Sequence, residues 1–352
     1  MFVFLIIIII LALVFDYING FHDAANSIAT IVSTKVLTPF QAVLWAAAFN
    51  FIAFFIFREH KVAGTIANIM SEHIINFKVI VSATIAAIGW NLLTWYYGIP
   101  SSSSHTLIGG LAGAAIAAGG LAGVNTHPIF IALIFMILSP VIGLIFAFFI
   151  TFITVHLAKN SRPAEAEKWF KRLQLLSSAG LSLAHGGGDS QKTMGLILTA
   201  IWFYYKTING NIGSIQDFPM PQWLPFACYT AIAFGTLSGG WRIVKTMGTR
   251  ITKVTPLEGF CAETAGAATI FLTIGFGIPV STTHTLTGSI VGVGATKRLS
   301  AVRWGVTFNL LWAWILTIPV SALVAAIIYY IIHFFPDKTF LLSFTEVFFL
   351  TL

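Results

Sequence analysis

The stretch GIPSSSSHTLIGGLAG at 98–113 returns as GIPVSTTHTLTGSIVG at 277–292, with nine of sixteen positions identical and Pro100 aligned on Pro279. The same offset carries Pro140 onto Pro319. A second pair lies upstream of each copy: Asn19-Gly20-Phe21-His22-Asp23 and His185-Gly186-Gly187-Gly188-Asp189, each ending on an aspartate. The chain is an internal duplication, so its fold must place each motif twice. The copies run 1–157 and 173–352 and are joined by a short basic linker, 158–172.

The solvent around these copies is lipid. Apolar residues make up 57% of the chain and charged residues 9%, against roughly 45–50% and about 25% in soluble domains. The net charge of +7 on so apolar a chain speaks of membrane topology and excludes nucleic acid as a partner. Cys228 and Cys261 sit in or beside apolar runs, which leaves neither a disulfide framework nor a zinc spacing. The first fifteen residues lack a basic flank and a small-residue cleavage site, so they are expected to be a membrane helix and not a removable signal.

Apolar stretches run near 1–18, 39–57, 78–98, 128–156, 173–184, 193–207, 222–238, 258–276 and 303–335, while 336–352 is too short for a span. The two Asp motifs are expected to break the helices that contain them. The Gly-Ile-Pro motifs are expected to turn 78–118 and 258–296 into re-entrant hairpins. Equivalent loops differ in charge: Arg242, Lys245, Arg250 and Lys253 stand without an acid, whereas Arg58 and Lys61 are balanced by Glu59 and Glu72. Lys297, Arg298 and Arg303 likewise have no charged counterpart at 118–124. By the positive-inside rule the copies are inverted, with linker 158–172 cytoplasmic, the first hairpin opening outward and the second inward. The expected fold is an all-α polytopic membrane protein of two inverted repeats. Each repeat would hold a broken helix and a re-entrant Ser/Thr-rich helical hairpin.

Asp23 and Asp189 then lie at membrane depth, where a carboxylate costs roughly 2.5–3.5 kcal/mol and needs a partner or water. Asn26 follows Asp23 by three residues and Lys192 follows Asp189 by three, so the second copy puts a fixed cation where the first has a neutral amide. Ser101 to Ser104 with Thr106, and Ser281, Thr282, Thr283 and Thr285, each open a helix just after a proline. One hydroxyl satisfies an N-cap; a run of them beside free helix-start N–H groups makes a donor cage for a tetrahedral oxyanion. A carboxylate repels sulfate but accepts a hydrogen bond from an anion that keeps a proton, which favours phosphate. The same acids suit a coupling cation. His22 is the better titration candidate beside Asp23, and Glu263 in the second hairpin, opposite Thr84, either is a further coupling-ion ligand or faces water at the hairpin mouth. His105 and His284 close each hydroxyl run and are read as supports within the hairpins, and Asn91 and Asn309 as helix-to-helix supports.

The run GGGDSQKT at 186–193 has Gln191 where a P-loop needs glycine before the lysine, and neither HExxH nor a suitably placed GxSxG occurs. No enzyme and no resident metal are expected. With these residues assembled, the sequence resembles the inorganic phosphate transporter (PiT) family. Residues 19–27 resemble its first signature, 185–195 its second, and 100–109 and 279–288 its two hairpins. The resemblance implies cation-coupled phosphate import, about ten to twelve membrane helices in inverted repeats, and often a dimer. It implies that Asp23, Asn26, Asp189 and the hydroxyls of 102–104, 106, 281–283 and 285 line the phosphate and cation sites. His22 is similar to the bacterial low-affinity branch, whose members are similar to proton-coupled carriers of metal–phosphate complexes. Gly187 and Gly188 depart from the Ala and Asn usual in the second signature, which puts one ligand in question and suggests a looser break. The expected function is symport of inorganic phosphate with a proton, or else sodium, across the bacterial plasma membrane by alternating access, with a divalent metal as a conceivable co-passenger. A sulfate permease of the same fold, a passive anion channel and a non-transporting receptor are the alternatives.

Overall fold

Helix starts follow local chemistry. Thr38 and Thr255 form capping boxes with Gln41 and Glu258, each with a proline at the next position. Asn76, Ser102 and Ser281 cap three more helices through their side chains. The structure, a computed structural model, describes residues 1–334, so the expectation for 336–352 lies outside the described residues. Twelve α-helices are found there, six in each copy. The first copy holds α1 (Phe2–Ser33), α2 (Pro39–Ile56), α3 (Lys61–Ala67), α4 (Phe77–Tyr97), α5 (Ser103–Gly119) and α6 (Thr126–Ala158). The second holds α7 (Pro163–Asn209), α8 (Trp223–Ser238), α9 (Trp241–Lys245), α10 (Pro256–Gly275), α11 (Thr282–Lys297) and α12 (Trp304–His333). Among the described residues, seven segments, those of α1, α2, α4, α5, α6, α10 and α12, are long and apolar enough to cross a membrane. The 47-residue α7 begins at Pro163, so most of the basic linker is the exposed first turns of a helix.

Both hairpin turns form as the Gly-Ile-Pro motifs predict. Gly98 and Gly277 take left-handed φ values of 66° and 70°. Ile99 donates its N–H to Thr94 O and Ile278 to Thr273 O, each at 2.9 Å, so one turn geometry ends both first arms.

The two expected helix breaks do not occur. α1 and α7 run without interruption through 19–23 and 185–189. The glycines there serve close packing instead of chain reversal: a Cβ on Gly20 would overlap Ile232 O, one on Gly186 would lie 2.6 Å from Asn50 O, and one on Gly187 would strike the Phe57 ring. An unbroken α1 puts Asp16, Asn19, Asp23, Asn26 and Thr30 at spacings of three, four, three and four, one polar stripe facing inward. α1 and α7 are antiparallel, since Thr34 near the end of α1 bonds Gln174 near the start of α7 at 2.9 Å while Asp16 faces Thr193.

The halves interlock. α5 packs on α12, and its counterpart α11 packs on α6. Gly109 and Gly113 meet the backbone of Ile318 and Ala322; their repeat equivalents Gly288 and Gly292 meet that of Pro140 and Leu144. Polar side chains fill the interior while α6 and α12 turn Phe130, Ile137, Phe149, Phe152, Trp312 and Leu323 outward, as lipid requires. Gly109→Val or Gly288→Val therefore lowers stability by about 1–3 kcal/mol or more through overpacking. Gly89→Ala, on an exposed α4 face with open space around it, raises it by roughly 0.5–1 kcal/mol. Thermal unfolding in detergent checks the contrast.

Candidate functional site between the hairpins and the first helices

The starts of α5 and α11 are built alike. Ser102 Oγ accepts from the His105 N–H and Ser281 Oγ from the His284 N–H, both at 3.2 Å. Thr106 and Thr285 donate to Ser102 O and Ser281 O at 2.8 and 2.9 Å. These four hydroxyls are thus engaged by their own helix. Ser103, Ser104, Thr282 and Thr283 point away from it, all buried.

Three of them meet the α1–α7 pair in a two-fold pattern, while the Ser103 hydroxyl is buried without a partner. Asn26 donates to Thr283 Oγ1 at 2.9 Å and to Thr282 Oγ1 at 3.1 Å. Lys192, the equivalent of Asn26, donates to Ser104 Oγ, the equivalent of Thr283, and to Val280 O at 2.9 Å. Each first helix therefore reaches the hairpin of the other copy. Between these arms Asp23, His185 and Asp189 converge, with one ligand atom from each within 4.8 Å of the others. Lys192 Nζ lies 2.5 Å from Asp189 Oδ1, and His185 Nε2 lies 3.5 Å from Asp189 Oδ2. His22 Nδ1 contacts Asp23 Oδ1 at 2.7 Å, while its Nε2 is 3.1 Å from Thr94 Oγ1, which also accepts from Ser101 at 2.9 Å. All of these groups are buried.

Glu263 occupies a second centre. Fully buried, it accepts from Thr30 at 2.6 Å, Gln174 at 2.9 Å and Ser177 at 2.5 Å. It does not face water at the hairpin mouth. Its counterpart Thr84 bonds only back to Ile80 O, so the centre exists in one copy alone. His105 and His284 meet ring to ring across the hairpins at 4.7 Å, and His284 stacks on Trp314 at 3.9 Å. Asn91 is buried in α4 with its amide unpartnered, whereas Asn309 is exposed on α12 and is not turned between helices.

The geometry has relatives. A sequence profile of the phosphate transporter family matches residues 19–325. A probable low-affinity inorganic phosphate transporter of Rhizobium meliloti (strain 1021) is 48% identical over 323 residues, covering 92% of this chain and 95% of that protein. One of Bacillus subtilis (strain 168), bearing the same name, is 44% identical over 331 residues, covering 93% and 97%. The chain belongs to the phosphate transporter family. A solved sodium-dependent phosphate transporter shares its fold, with a TM-score of 0.83 at 24% identity over 95% of this chain and 100% of that one.

Membership in a family of transporters agrees with the failed enzyme motifs. Residues 186–193 lie inside α7, where a continuous helix has no loop to cradle a nucleotide phosphate. The departure at Gly187 also finds a physical reason. At Gly187 a Cβ would strike the Phe57 ring, so α7 approaches α2's end closely there without losing helical form; at Gly188 a Cβ would meet Ile270 and Ile274 at ordinary contact distance, and nothing in the packing requires glycine.

The structure carries two clasps that sequence reading did not anticipate. Lys61 and Thr65 on α3 donate to Gly275 O and Gly277 O at the tip of the second hairpin, at 3.4 and 2.7 Å. Arg242 and Thr246, at and just after α9, donate to Tyr96 O and Gly98 O at the tip of the first, the latter at 3.2 Å. Each clasp sets a cation against the carbonyl end of a helix. They are unequal: Arg242 also lies over Trp95 and Tyr96, at 5.2 and 4.8 Å, while Lys61 is shared with exposed Glu59 at 3.0 Å. Beside the Lys61 clasp opens a vestibule of about 910 Å³ lined by Lys61, Thr65, Asn68, Asn125, His127 and Gln216. It lies at the start of the 33-residue α6, whose other end meets the basic linker.

Asp16, Thr30, Thr94, Gln174 and Ser177 also belong to this interior, and the sequence reading missed them. The signal was present: counting helical turns back and forward from Asp23 reaches Asp16 and Thr30, but only if α1 is taken as unbroken.

Proposed function

We propose that this chain imports inorganic phosphate across the bacterial plasma membrane by cation symport with alternating access. The observation that carries the reading is the meeting of Asp23 and Asp189 between donors from both copies: Asn26, Lys192 and the hydroxyls of Ser104, Thr282 and Thr283. Donors alone suit any oxyanion; paired carboxylates select one that still holds a proton. Coupling to protons is the first reading, because His22 joins Asp23 to a Thr94–Ser101 hydroxyl chain and Lys192 already stands as a fixed cation beside Asp189. Sodium is the second. The Asp23–His185–Asp189 set has the donor chemistry for a divalent ion travelling with phosphate, and it also supports that version of the cargo.

The antiparallel α1 and α7 and the crosswise contacts of Asn26 and Lys192 support inverted copies, here taken as 1–157 and 173–352. The exposed Lys159, Arg162, Lys168 and Arg172 support a cytoplasmic 158–172, which turns the vestibule outward. The homodimer implied by the family resemblance belongs to the same proposal, and the protein's molar mass in detergent tests it.

Labelled phosphate uptake into proteoliposomes, with pH and sodium gradients imposed separately and sulfate in excess, tests the function. Accumulation driven by one of the gradients and unaffected by sulfate is expected; flux without accumulation means a channel, and competition by sulfate means a broader permease. The clasps give alternating access a handle. Lys61→Ala with Thr65→Val removes two hydrogen bonds of about 1 kcal/mol each, enough to shift the gate equilibrium roughly thirtyfold. A cysteine at position 280 should become at least about tenfold more reactive from the vestibule side in that variant. Arg242→Ala with Thr246→Val should do the same from the linker side. Equal reactivity from both sides in either variant rejects the gating role.

A further inference from the structure

Asp16 is the buried charge that the transport reading leaves unused. It is fully enclosed on α1; neither carboxylate oxygen makes a well-formed hydrogen bond, and the donors nearest to it are Thr193 on α7 and Asn19 on its own helix. Its neighbours are in the same condition. Asn19 Oδ1, one turn along α1, and Thr193 Oγ1, across on α7, are buried without a well-formed hydrogen bond, as are Ser190 Oγ one turn before Thr193 and Tyr229 Oη on α8, which has Gln191 within reach. The groups facing Asp16 from other helices are Asp189 and Lys192 of α7 and Cys228 and Tyr229 of α8. Lys192 is the sole cation among them, and its ammonium is spent on Asp189, Ser104 and Val280 O.

The cluster therefore offers oxygens from three helices and lacks a positive charge to receive them. A single carboxylate, an amide oxygen and hydroxyls form a hard donor set of net charge −1, which matches one monovalent cation and falls short of a divalent one. Shut off from water, a carboxylate with no cation paired to it is unstable unless such a cation, a proton included, joins it. Thr193 also places the cluster. It lies on the stretch of α7 that leads to Asn209 and on to Gln216 in the vestibule, so Asp16 stands on the vestibule side of Asp23, two helical turns away.

We propose that Asp16, with Asn19 and Thr193, forms a binding site for the coupling cation on the vestibule side of the phosphate site. This rests on the symport reading and adds to it: the cation reaches Asp16 before it reaches Asp23 and Asp189, and its arrival neutralises the path that the anion follows. A proton and a sodium ion share the chemistry, and the two can be told apart by which dependence the site governs.

The test uses the full-length protein in proteoliposomes and compares wild type with Asp16→Asn, which keeps the side-chain shape. Initial uptake is measured against external sodium at fixed pH and against pH without sodium. Asp16→Asn should lower the Hill coefficient for the coupling cation by about one and raise its half-saturating concentration at least tenfold. A change in the sodium series alone assigns sodium, and one in the pH series alone assigns the proton. Wild-type dependence on both overturns the site. Should Asp16→Asn fail to fold by size-exclusion chromatography, Thr193→Val takes its place, with a several-fold shift in half-saturation expected and no shift counting against the proposal. Failure of the symport reading looks different: wild-type protein itself then accumulates no phosphate under either gradient.

Discussion

Asp23→Asn and Asp189→Asn should each cut phosphate accumulation at least a hundredfold while leaving a folded, monodisperse protein. The substitution keeps shape and hydrogen-bonding capacity but replaces an anionic acceptor with an amide that also donates. Facing a phosphate that retains a proton, the carboxylate accepts that proton's hydrogen bond; the amide can match only one of its oxygens to it and holds no charge for a coupling cation. Charged hydrogen bonds contribute about 1.5–3 kcal/mol each. Loss of one such bond together with the cation's partner reaches the expected hundredfold, since about 1.4 kcal/mol is a factor of ten. Because Asp23 pairs with His22 and Asp189 with Lys192, the two variants should differ in stability. Asp189→Asn leaves a buried ammonium without its carboxylate and should lower the melting temperature more. Uptake at the wild-type level by either variant removes that residue from the mechanism.

The second large effect concerns Lys192. Lys192→Met deletes a buried cation that touches Asp189, Ser104 and Val280 O at once. Breaking one side of a buried ion pair costs about 3–5 kcal/mol, so this variant should be poorly stable and inactive together. Lys192→Asn installs the residue that the first copy carries at the same place, where Asn26 bridges to Thr282 and Thr283. It should fold better than the methionine variant. With the resident positive charge gone, a mobile cation has to take its place, so residual uptake should need more of the coupling cation than the wild type does. Unaltered cation dependence in Lys192→Asn, with uptake retained, shows that the ammonium is not part of the charge balance.

The duplication and the hairpin turns were legible because each rests on identities at fixed offsets, and the equivalence of positions 26 and 192 follows from their offset, but their crosswise contacts do not. Proline after an apolar run and glycine at a left-handed turn leave few alternatives. The Asp motifs were misread as breaks because glycine has two uses that look alike in sequence. It permits a bend, and it also lets a neighbouring backbone come within contact distance; only the position of α8 against Gly20 and of α2 against Gly186 decides between them. That misreading hid Asp16, whose relation to Asp23 depends on the helix continuing. Glu263 was found by its charge, but its three donors come from α1 and α7, at distances along the chain that no local pattern links. The clasps were invisible for a related reason, since their acceptors are backbone carbonyls and carry no residue signature.

The seating of α5 on α12, and of α11 on α6, sets a schedule for biogenesis. A ribosome that has released the first hairpin has still to make nearly two hundred residues before the surface that covers Gly109 and Gly113 exists. Until then that hydroxyl-rich arm has chiefly α4 against it, and its Gly109–Gly113 face must wait in the translocon, at the water boundary or under a chaperone. The second arm meets a surface made long before it. Truncation just before residue 304 should therefore leave the earlier hairpin, and not the later one, open to protease.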